Sequence, residues 1–346
     1  MSVQDLQQIA QEFVDAGFGG LELRVHDDEH GDRVVTAGIR ELGRTEKPPV
    51  GGQFRVGSVT KTFVSAVVLQ LVAEGKLDLD GSVADRLSRF ELDPRITVRM
   101  LLNHTSGLFN YTGEYYPDGT VATGLPATGK EWADNRLRGY APDELVEFAL
   151  SKPARFEPGA EWSYSNTNYT IAALLIEAVT GRTFAEELDG RIVKPLGLTG
   201  TLEPGDRTDI PAPHSHGYFR YQDGEDWQVV DVTEQNPSLL FAAGSMLSTT
   251  QDLQVFMSAL QSGELIPADL LTAMRTPEPK SGPLNYALGL FKQDVGAQAL
   301  YHHNGSAPGG YGALMYSTPD GTKTLTAAIT MADAAVNLLE IFPPAL

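Results

Sequence analysis

The sequence predicts an α/β fold of the α+β type, in which an antiparallel sheet lies beside a mostly helical lobe. Three observations predict it: strand-like alternation occurs near both ends, helical periodicity dominates the middle, and glycine-rich turns separate the C-terminal strand segments. We expect one domain in two lobes. Residues 1–75 and about 245–346 would form the sheet lobe and residues about 76–244 the helical lobe, with a site in the cleft between them.

The N-terminal elements are a helix and two strands. Apolar residues at helical spacing predict a helix over residues 3–16, and alternation predicts strands over 19–25 and 33–38, separated by the turn-rich DDEHGD. The apolar run FRVGSVTKTFVSAVVLQLV then predicts a helix from Ser58 to Gly75, with Gly75 as its C-terminal cap.

The middle of the chain combines a long loop with several helices. Residues 109–138 are rich in Gly, Pro, Tyr and Trp, which is typical of a structured loop beside a binding site. Helices are predicted over 142–150, over an apolar segment ending at Gly181, over 184–192 and over 249–263. Candidate pocket-wall residues, which fit an aromatic or apolar core equally well, are Tyr115, Tyr116, Trp132, Leu239 and Phe241.

The C-terminal part alternates like a series of antiparallel strands. The predicted strands cover residues 286–291, 299–301, 311–317 and 325–331, and the turn before the last of them contains the hairpin dipeptide Asp320-Gly321. A final helix is predicted near residues 334–341.

The composition excludes several classes of function. The chain has 346 residues, with 45 acidic against 26 basic side chains and a net charge of -19, so it repels phosphate backbones and anionic lipids. We therefore expect no nucleic-acid partner, and solubility is the simpler explanation of the charge. The absence of cysteine excludes disulfides, thiolate metal sites and cysteine nucleophiles.

The termini and the apolar runs bear on location. The start, MSVQDLQQIAQEFVDAGFGG, lacks a basic region followed by an apolar run, and the apolar run at 64–72 is too short to span a bilayer. The sequence as written therefore predicts a cytoplasmic protein without a membrane span. A secreted protein whose export signal had been removed would look the same.

Ser58 and Lys61 form the first chemical motif. Residues three apart lie on one helix face, and Ser58 would stand at the positive end of the helix dipole. A lysine desolvated among apolar neighbours has a lowered pKa and can take the proton of a serine hydroxyl. The alternative interpretation is a helix-capping serine beside a surface lysine.

Two further motifs follow downstream. In WSYSNTNY, the phenol of Tyr164 can relay protons beside a lysine, and Asn166 can orient that lysine and an acyl amide. In HNGSAPGGY, His303 and Gly305 stand at the edge of a predicted strand, where glycine permits close approach of a substrate carbonyl. Backbone N–H groups of that strand and of Ser58 could bind an oxyanion. Alone, each segment also fits an ordinary polar turn.

Together, S-x-x-K, Y-x-N and H-x-G in this order resemble the motif set of the serine penicillin-recognising enzymes. The resemblance is to the branch that contains secreted actinobacterial D-alanyl-D-alanine carboxypeptidases, class C β-lactamases and related esterases. Similar stretches extend it from about Phe54 to Tyr311, among them LQLVAEGKLDLD, ITVRMLLNHTSGL, LIEAVTG and AAGSMLSTTQDL. It implies a β-lactamase/transpeptidase-like fold and acyl-enzyme chemistry.

The resemblance also implies roles for single residues. Ser58 would attack an amide, ester or lactam carbonyl, Lys61 and Tyr164 would share the proton handling, and Asn166 would position Lys61 and the substrate. His303 would fill the place of the lysine or histidine of the third motif. The N–H groups of Ser58 and of a residue on the His303 strand would form the oxyanion hole.

The sequence departs from the carboxypeptidase pattern around the third motif. Asn304 replaces a hydroxyl residue, although Ser306 keeps one, and Phe291 stands about where an arginine is expected on the preceding strand. Lys292 could substitute only if the register slipped by one, because strand alternation would point it to the opposite face. A pocket without that cation suits a neutral ester or amide better than an anionic peptide end, and losing such a contact costs roughly 1.5–3 kcal/mol.

Three functions remain open from the sequence. The first is a serine acyl-enzyme hydrolase of the carboxypeptidase or class C β-lactamase type, acting on a small or peptide-like acyl donor with water as acceptor. The second is an esterase or transacylase that passes the acyl group of a neutral substrate to an amine or alcohol. The third is a penicillin-binding-type sensor without catalysis.

No cofactor or metal is expected from the motifs. The chain contains no P-loop and no dinucleotide-binding fingerprint, and His214-Ser215-His216 lacks a third ligand at useful spacing. His104, in NHTSGL, is interpreted as a residue that braces a loop.

Overall fold

The computed structural model describes residues 2–333, within which ten α-helices and twelve strands follow one another. The helices are α1 (Val3–Asp15), α2 (Thr60–Ala73), α3 (Val98–Leu102), α4 (Gly129–Asn135), α5 (Pro142–Leu150), α6 (Asn166–Thr180), α7 (Phe184–Leu188), α8 (Lys194–Leu196), α9 (Thr250–Gln261) and α10 (Ala268–Arg275). The strands are β1 (Gly20–Asp27), β2 (Gly31–Gly38), β3 (Phe54–Arg55), β4 (Glu114–Tyr115), β5 (Val121–Ala122), β6 (Tyr218–Asp223), β7 (Asp226–Asp231), β8 (Leu247–Ser248), β9 (Phe291–Val295), β10 (Gln298–Ser306), β11 (Tyr311–Ser317) and β12 (Lys323–Thr330).

The main sheet joins the two ends of the described chain. Its six strands run antiparallel in the order β2–β1–β12–β11–β10–β9, so the N-terminal hairpin pairs with the last strand through the register Leu23↔Ala327. Strand β11 pairs with β12 on one side and with β10 on the other, and the register Gly305↔Ala313 places the C-terminal end of β10 in the sheet. The predicted class, an α+β fold with a sheet from both termini, is confirmed.

Both faces of the sheet are covered, which explains the apolar central strands. On one face, Leu6 and Phe13 of α1 pack with Leu23 and Leu314. The neighbouring residue Met315 points to the opposite face and joins the cluster that contains Phe256 of α9. Alternation along β11 therefore feeds two different cores.

Helix α2 lies at the centre of the largest core. Eleven of its fourteen residues are buried, and its apolar side chains form one cluster with α6, α9 and β11. This cluster contains Val67 and Met315 from the predicted sheet lobe together with Leu174 from the predicted helical lobe. The division into lobes at residues 75 and 245 stays a prediction.

Several element boundaries differ from the sequence prediction. The helix predicted from Ser58 begins instead with a 3₁₀ turn, Gly57–Val59, and the α-helix starts at Thr60. The predicted helix over 184–192 is α7 followed by a wider π turn, Asp189–Val193. The sequence analysis did not predict the hairpin β6–β7.

The strand predicted over 286–291 is wrong for all but its last residue. Tyr286 and Phe291 form an isolated bridge across a tight turn, in which Gly289 has a φ of +81°. Strand β9 begins only at Phe291. Side-chain hydrogen bonds, such as that from Thr62 to the carbonyl of Gly289, hold the turn, and a short apolar run carries no sign of them. The helix predicted near 334–341 lies outside the described residues.

No helix within residues 2–333 has both the length and the apolar character needed to cross a membrane.

Candidate active site

A cavity of about 1060 Å³ opens beside the end of β10. Its walls come from distant parts of the chain: the turn before α2, the segment before α6, the loop before β9, and β9 and β10 themselves. The lining residues include Ser58, Trp162, Tyr164, Leu284, Phe291, His303, Asn304, Gly305 and Ser306.

Two glycines bring the turn that carries Ser58 against the end of β10. A Cβ atom on Gly57 would lie 2.5 Å from the carbonyl oxygen of Ser306, and one on Gly305 would lie 2.0 Å from that of Val56. The position of the Gly305 Cβ would also be 2.8 Å from the amide nitrogen of Ser58. Gly57 has a φ of +52°. Only glycine allows this approach, which places the backbone amides of Ser58 and the β10 end side by side.

Lys61 points into the protein, toward Ser58. Its Nζ atom lies 3.1 Å from Ser58 Oγ, 2.8 Å from Asn166 Oδ1 and 2.7 Å from the carbonyl oxygen of Ala243. The side chain is fully buried, and this desolvation lowers the pKa of the amine well below its usual value. An uncharged amine in this place donates its two hydrogens at the two shorter contacts and keeps its lone pair for the Ser58 hydroxyl.

Asn166 is itself fixed in orientation. Its side-chain nitrogen donates to Thr112 Oγ1 at 3.1 Å, and its backbone N–H donates to Asn110 Oδ1 at 3.0 Å. Because the nitrogen faces Thr112, the amide oxygen must face Lys61. Asn110 and Thr112 belong to the long loop that the composition singled out, although the sequence did not single out these two residues.

The Tyr164 phenol interacts with the Ser58 side chain. Burial raises the pKa of this phenol, and the interaction with Ser58 offsets part of the rise. The Lys61 Nζ atom lies 4.7 Å from the centre of the Tyr164 ring. Ser58 thus contacts one group with a lowered pKa and one with a raised pKa, so the amine, and not the phenol, is the better proton acceptor at neutral pH.

His303 is buried and uncharged. Burial, with a smaller contribution from Lys61, lowers its pKa to about 3. Its Nδ1 atom donates to the carbonyl oxygen of Asn304 at 2.5 Å, since a carbonyl can only accept. The remaining ring nitrogen, Nε2, therefore carries a lone pair, and it has no partner among the described residues.

Around His303, the structure shows what replaces the arginine of the carboxypeptidase pattern. The Phe291 ring packs 5.1 Å from that of His303 and stacks at 5.3 Å on His302. Contrary to the alternation expected from the sequence, Lys292 lines the cavity together with Phe291. Its amine lies 3.2 Å from an oxygen of Asp294, which also lines the cavity and balances the charge.

None of the five residues predicted for the pocket wall lines the cavity around Ser58. Tyr115 is 72% exposed on the β4–β5 hairpin, and Tyr116 packs under the guanidinium of Arg155. Trp132, Leu239 and Phe241 belong to a separate apolar cluster. Trp162 and Leu284 do line the cavity, and the sequence prediction missed both. Trp162 stands two residues before Tyr164 of the Y-x-N motif, which was a usable signal, whereas nothing around Leu284 marks it.

Comparison with known proteins gives a consistent result. The family model described as Beta-lactamase matches residues 6–336. The putative penicillin-binding protein PbpX of Bacillus subtilis (strain 168) is 26% identical over 308 residues, covering 88% of this chain and 68% of that protein. The first curated relatives are longer, and the chain spans between half and about two thirds of their length.

Two solved structures are similar over nearly the whole chain. A D-stereospecific amidohydrolase from Streptomyces sp. has 35% sequence identity and a TM-score of 0.84, covering 95% of this chain and 94% of that one. The D-amino acid amidase from Ochrobactrum anthropi SV3, complexed with D-phenylalanine, has 25% identity and a TM-score of 0.81, covering 94% and 91%.

Proposed function

From the premise that the chain belongs to the Beta-lactamase family of serine hydrolases, we propose that it cleaves an amide or ester through a covalent acyl-Ser58 intermediate. The observation that carries this proposal is the 3.1 Å contact between the buried Lys61 amine and the Ser58 hydroxyl. A buried amine with a lowered pKa, held by two further acceptors, is a general base for the serine.

Acylation follows from the contacts of Ser58. The serine oxygen attacks the substrate carbonyl carbon while its proton moves to Lys61. The negative charge that develops on the carbonyl oxygen is bound by the amides of Ser58 and of Ser306, the residue that Gly57 touches. When the tetrahedral intermediate collapses, the bond to the leaving group breaks. Its nitrogen or oxygen takes the proton that Lys61 received, passed through the Tyr164 hydroxyl.

Deacylation reverses these steps with another acceptor. A water molecule gives a proton to Lys61, adds to the acyl carbon and releases the acid, and the proton returns to Ser58. An amine or alcohol in place of water makes the reaction a transacylation. The partly exposed Ser58 and the open cavity leave room for either acceptor.

We propose a neutral or amine-bearing acyl donor, and specifically a D-amino acid amide or ester. His303 is uncharged, so it supplies no cation that could pair with a substrate carboxylate. Phe291 offers no charge, and the charge of Lys292 is balanced by that of Asp294. The names of the two similar structures, an amidohydrolase and an amidase for D-amino acid derivatives, support the same class.

The test compares acyl donors on one protein sample. D-phenylalanine amide, L-phenylalanine amide, a p-nitrophenyl ester and a labelled penicillin are incubated separately, with release of product and intact mass as readouts. We expect turnover of the D-amide and the ester, and a mass increase by one acyl group on Ser58. Ser58→Ala should abolish both.

Other results would select the alternatives. A stable penicillin adduct with slow amide turnover would favour the carboxypeptidase type. Turnover that rises when an amine acceptor is added, with amide product, would favour the transacylase. A wild type that neither reacts with nor turns over any acyl donor would refute the acyl-enzyme proposal and leave the sensor.

A further inference from the structure

His104 lies behind the active site, outside the lining of the cavity, and the proposed mechanism does not use it. It follows α3, its side chain is fully buried, and it has a φ of +64°. A residue other than glycine is uncommon in this left-handed conformation and is held there by its surroundings.

The hydrogen bonds fix the protonation of the ring. The backbone N–H of Ser165 points to His104 Nδ1 at 3.2 Å, and the side-chain nitrogen of Asn168 points to the same atom at 3.0 Å. Asn168 must use its nitrogen here, because its oxygen accepts from the Ser106 hydroxyl at 2.6 Å. Nδ1 is therefore a double acceptor, and the single proton of the neutral ring is on Nε2. Burial lowers the pKa of His104 well below its usual value, which keeps the ring neutral.

These contacts surround Tyr164 on three sides. The carbonyl oxygen of His104 accepts from the N–H of Ser163 at 3.0 Å, and its Nδ1 accepts from the N–H of Ser165. Between these two bonds, the His104 ring packs against the Tyr164 ring with 4.3 Å between centres. One residue thus holds the backbone before and after Tyr164 and the face of its ring.

We propose that His104 is a positioning residue that holds the Tyr164 hydroxyl in place for proton transfer at Ser58, through the hydrogen bonds that its Nδ1 atom accepts. This inference rests on the proposed function, because it needs Tyr164 to act in the reaction. His104 touches no reacting atom. A displacement of about 1 Å in a catalytic group can cost on the order of 100-fold in rate, so losing the Ser165 bond should lower kcat with little effect on KM.

Two matched variants separate the acceptor from the ring. His104→Asn keeps an acceptor at the position of Nδ1 and tolerates the left-handed backbone, whereas His104→Phe keeps a flat ring and loses the acceptor. With a p-nitrophenyl ester as substrate, we expect His104→Phe to lose about 10- to 100-fold in kcat. His104→Asn should stay within about threefold of the wild type, and KM within about twofold in both.

A double-mutant cycle distinguishes positioning from a merely structural role. If His104 acts through Tyr164, His104→Phe should have no further effect on kcat in a Tyr164→Phe background. An equal loss in both backgrounds would overturn the inference, as would a lowered melting temperature with unchanged kcat.

A measurement on the wild type covers the case in which His104→Phe does not fold. The ¹⁵N NMR shifts of His104 should show the neutral form protonated on Nε2 throughout pH 5–9, and a charged ring or one protonated on Nδ1 would overturn the inference.

Labelling of Ser58 by a fluorophosphonate separates the inference about His104 from the proposed function. A wild type inert to both probe and ester refutes the proposed function and this inference with it. If the probe labels the wild type and labels His104→Phe at the same rate, the inference about His104 is refuted and the proposed function stands.

Discussion

At the scale of single residues, Lys61 shows how far the sequence could lead. The three-residue spacing from Ser58 and the apolar neighbours were enough to predict a desolvated amine beside a hydroxyl. The other two contacts of the amine, Asn166 and Ala243, lie 105 and 182 residues away. Asn166 belongs to the Y-x-N motif, which indicated it. Ala243 contributes a backbone carbonyl, which any residue has, so the sequence could not predict it.

Lys61→Met tests the amine at nearly constant side-chain length. It leaves Ser58 without a base, and general-base catalysis typically contributes 10²–10⁴-fold. We therefore expect fluorophosphonate labelling of Ser58 to slow by at least about 100-fold, with a circular dichroism spectrum like that of the wild type. Labelling within about threefold of the wild-type rate would show that another group takes the proton.

The pH profile should report the same amine. Because burial lowers the pKa of Lys61, its reactive neutral form is already present below the usual range of a lysine. Acylation by a neutral ester should rise with pH as Lys61 loses its proton and reach a plateau well below pH 10. A rate that still climbs steeply at pH 10 would contradict this, and hydroxide-driven ester hydrolysis in a Ser58→Ala sample is the control.

Glu203 gives a prediction about stability. Burial raises the pKa of this carboxyl from 4.5 to about 7, and the Ser245 hydroxyl donates to one of its oxygens at 2.6 Å. A raised pKa means that its stabilisation is fully present below pH 4.5 and is lost as the pH rises through 7. Glu203→Gln, which stays neutral and keeps an acceptor for Ser245, should raise the free energy of unfolding at pH 8 by on the order of 2 kcal/mol. Urea unfolding at pH 5 and pH 8 checks it, and an equal effect at both values would contradict the assignment.

At the scale of elements, the contact between the Ser58 turn and β10 depends on two glycines. The sequence pointed to Gly305 as a place of close approach, but it predicted a regular helix from Ser58 and therefore missed the 3₁₀ turn that Gly57 starts. The partner of each glycine is the backbone of a segment about 250 residues away. Local propensity could not reveal that partner, just as it could not show that residues 286–291 form a turn held by Thr62.

Gly305→Ala should displace this turn. The added methyl would lie 2.0 Å from the carbonyl oxygen of Val56, with backbone atoms on that side that cannot rotate away. We expect a loss of about 100-fold in kcat, since the oxyanion amides separate, and destabilisation by about 1–3 kcal/mol from overpacking. Gly190→Ala is the matched control, because its Cβ would meet nothing within 4 Å. For both variants, ester turnover measures the loss in kcat and thermal melts measure the destabilisation. A Gly305→Ala enzyme as active as the Gly190→Ala enzyme would refute the contact.

At the scale of the whole molecule, one core cluster contains residues from both predicted lobes. Sequence patterns predicted the mixed class and the sheet built from both termini, because strand alternation is local and visible. They could not show that α2 is buried among α6, α9 and β11, which is a property of the packed chain. A helix with apolar residues on nearly every side has no face that indicates its neighbours.

This shared core predicts cooperative unfolding. Removing either lobe would expose the apolar side chains of α2, so neither should unfold before the other. Tryptophan fluorescence reports the three tryptophans Trp132, Trp162 and Trp227, all within the predicted helical lobe, and far-UV circular dichroism reports the whole chain. We expect the two urea transitions to coincide. Two separated midpoints would show that the lobes are independent units.

The glycine contact at Ser58 also has a consequence for laboratory evolution. The amides proposed to bind the developing charge belong to the backbone, and the groups that move the proton lie on α2 and before α6. The outer walls, Leu284 and Phe291, carry none of this machinery. Selection for a new substrate should therefore accumulate substitutions in the loop before β9 and on β9 itself, and the altered enzymes should keep their reactivity toward small esters.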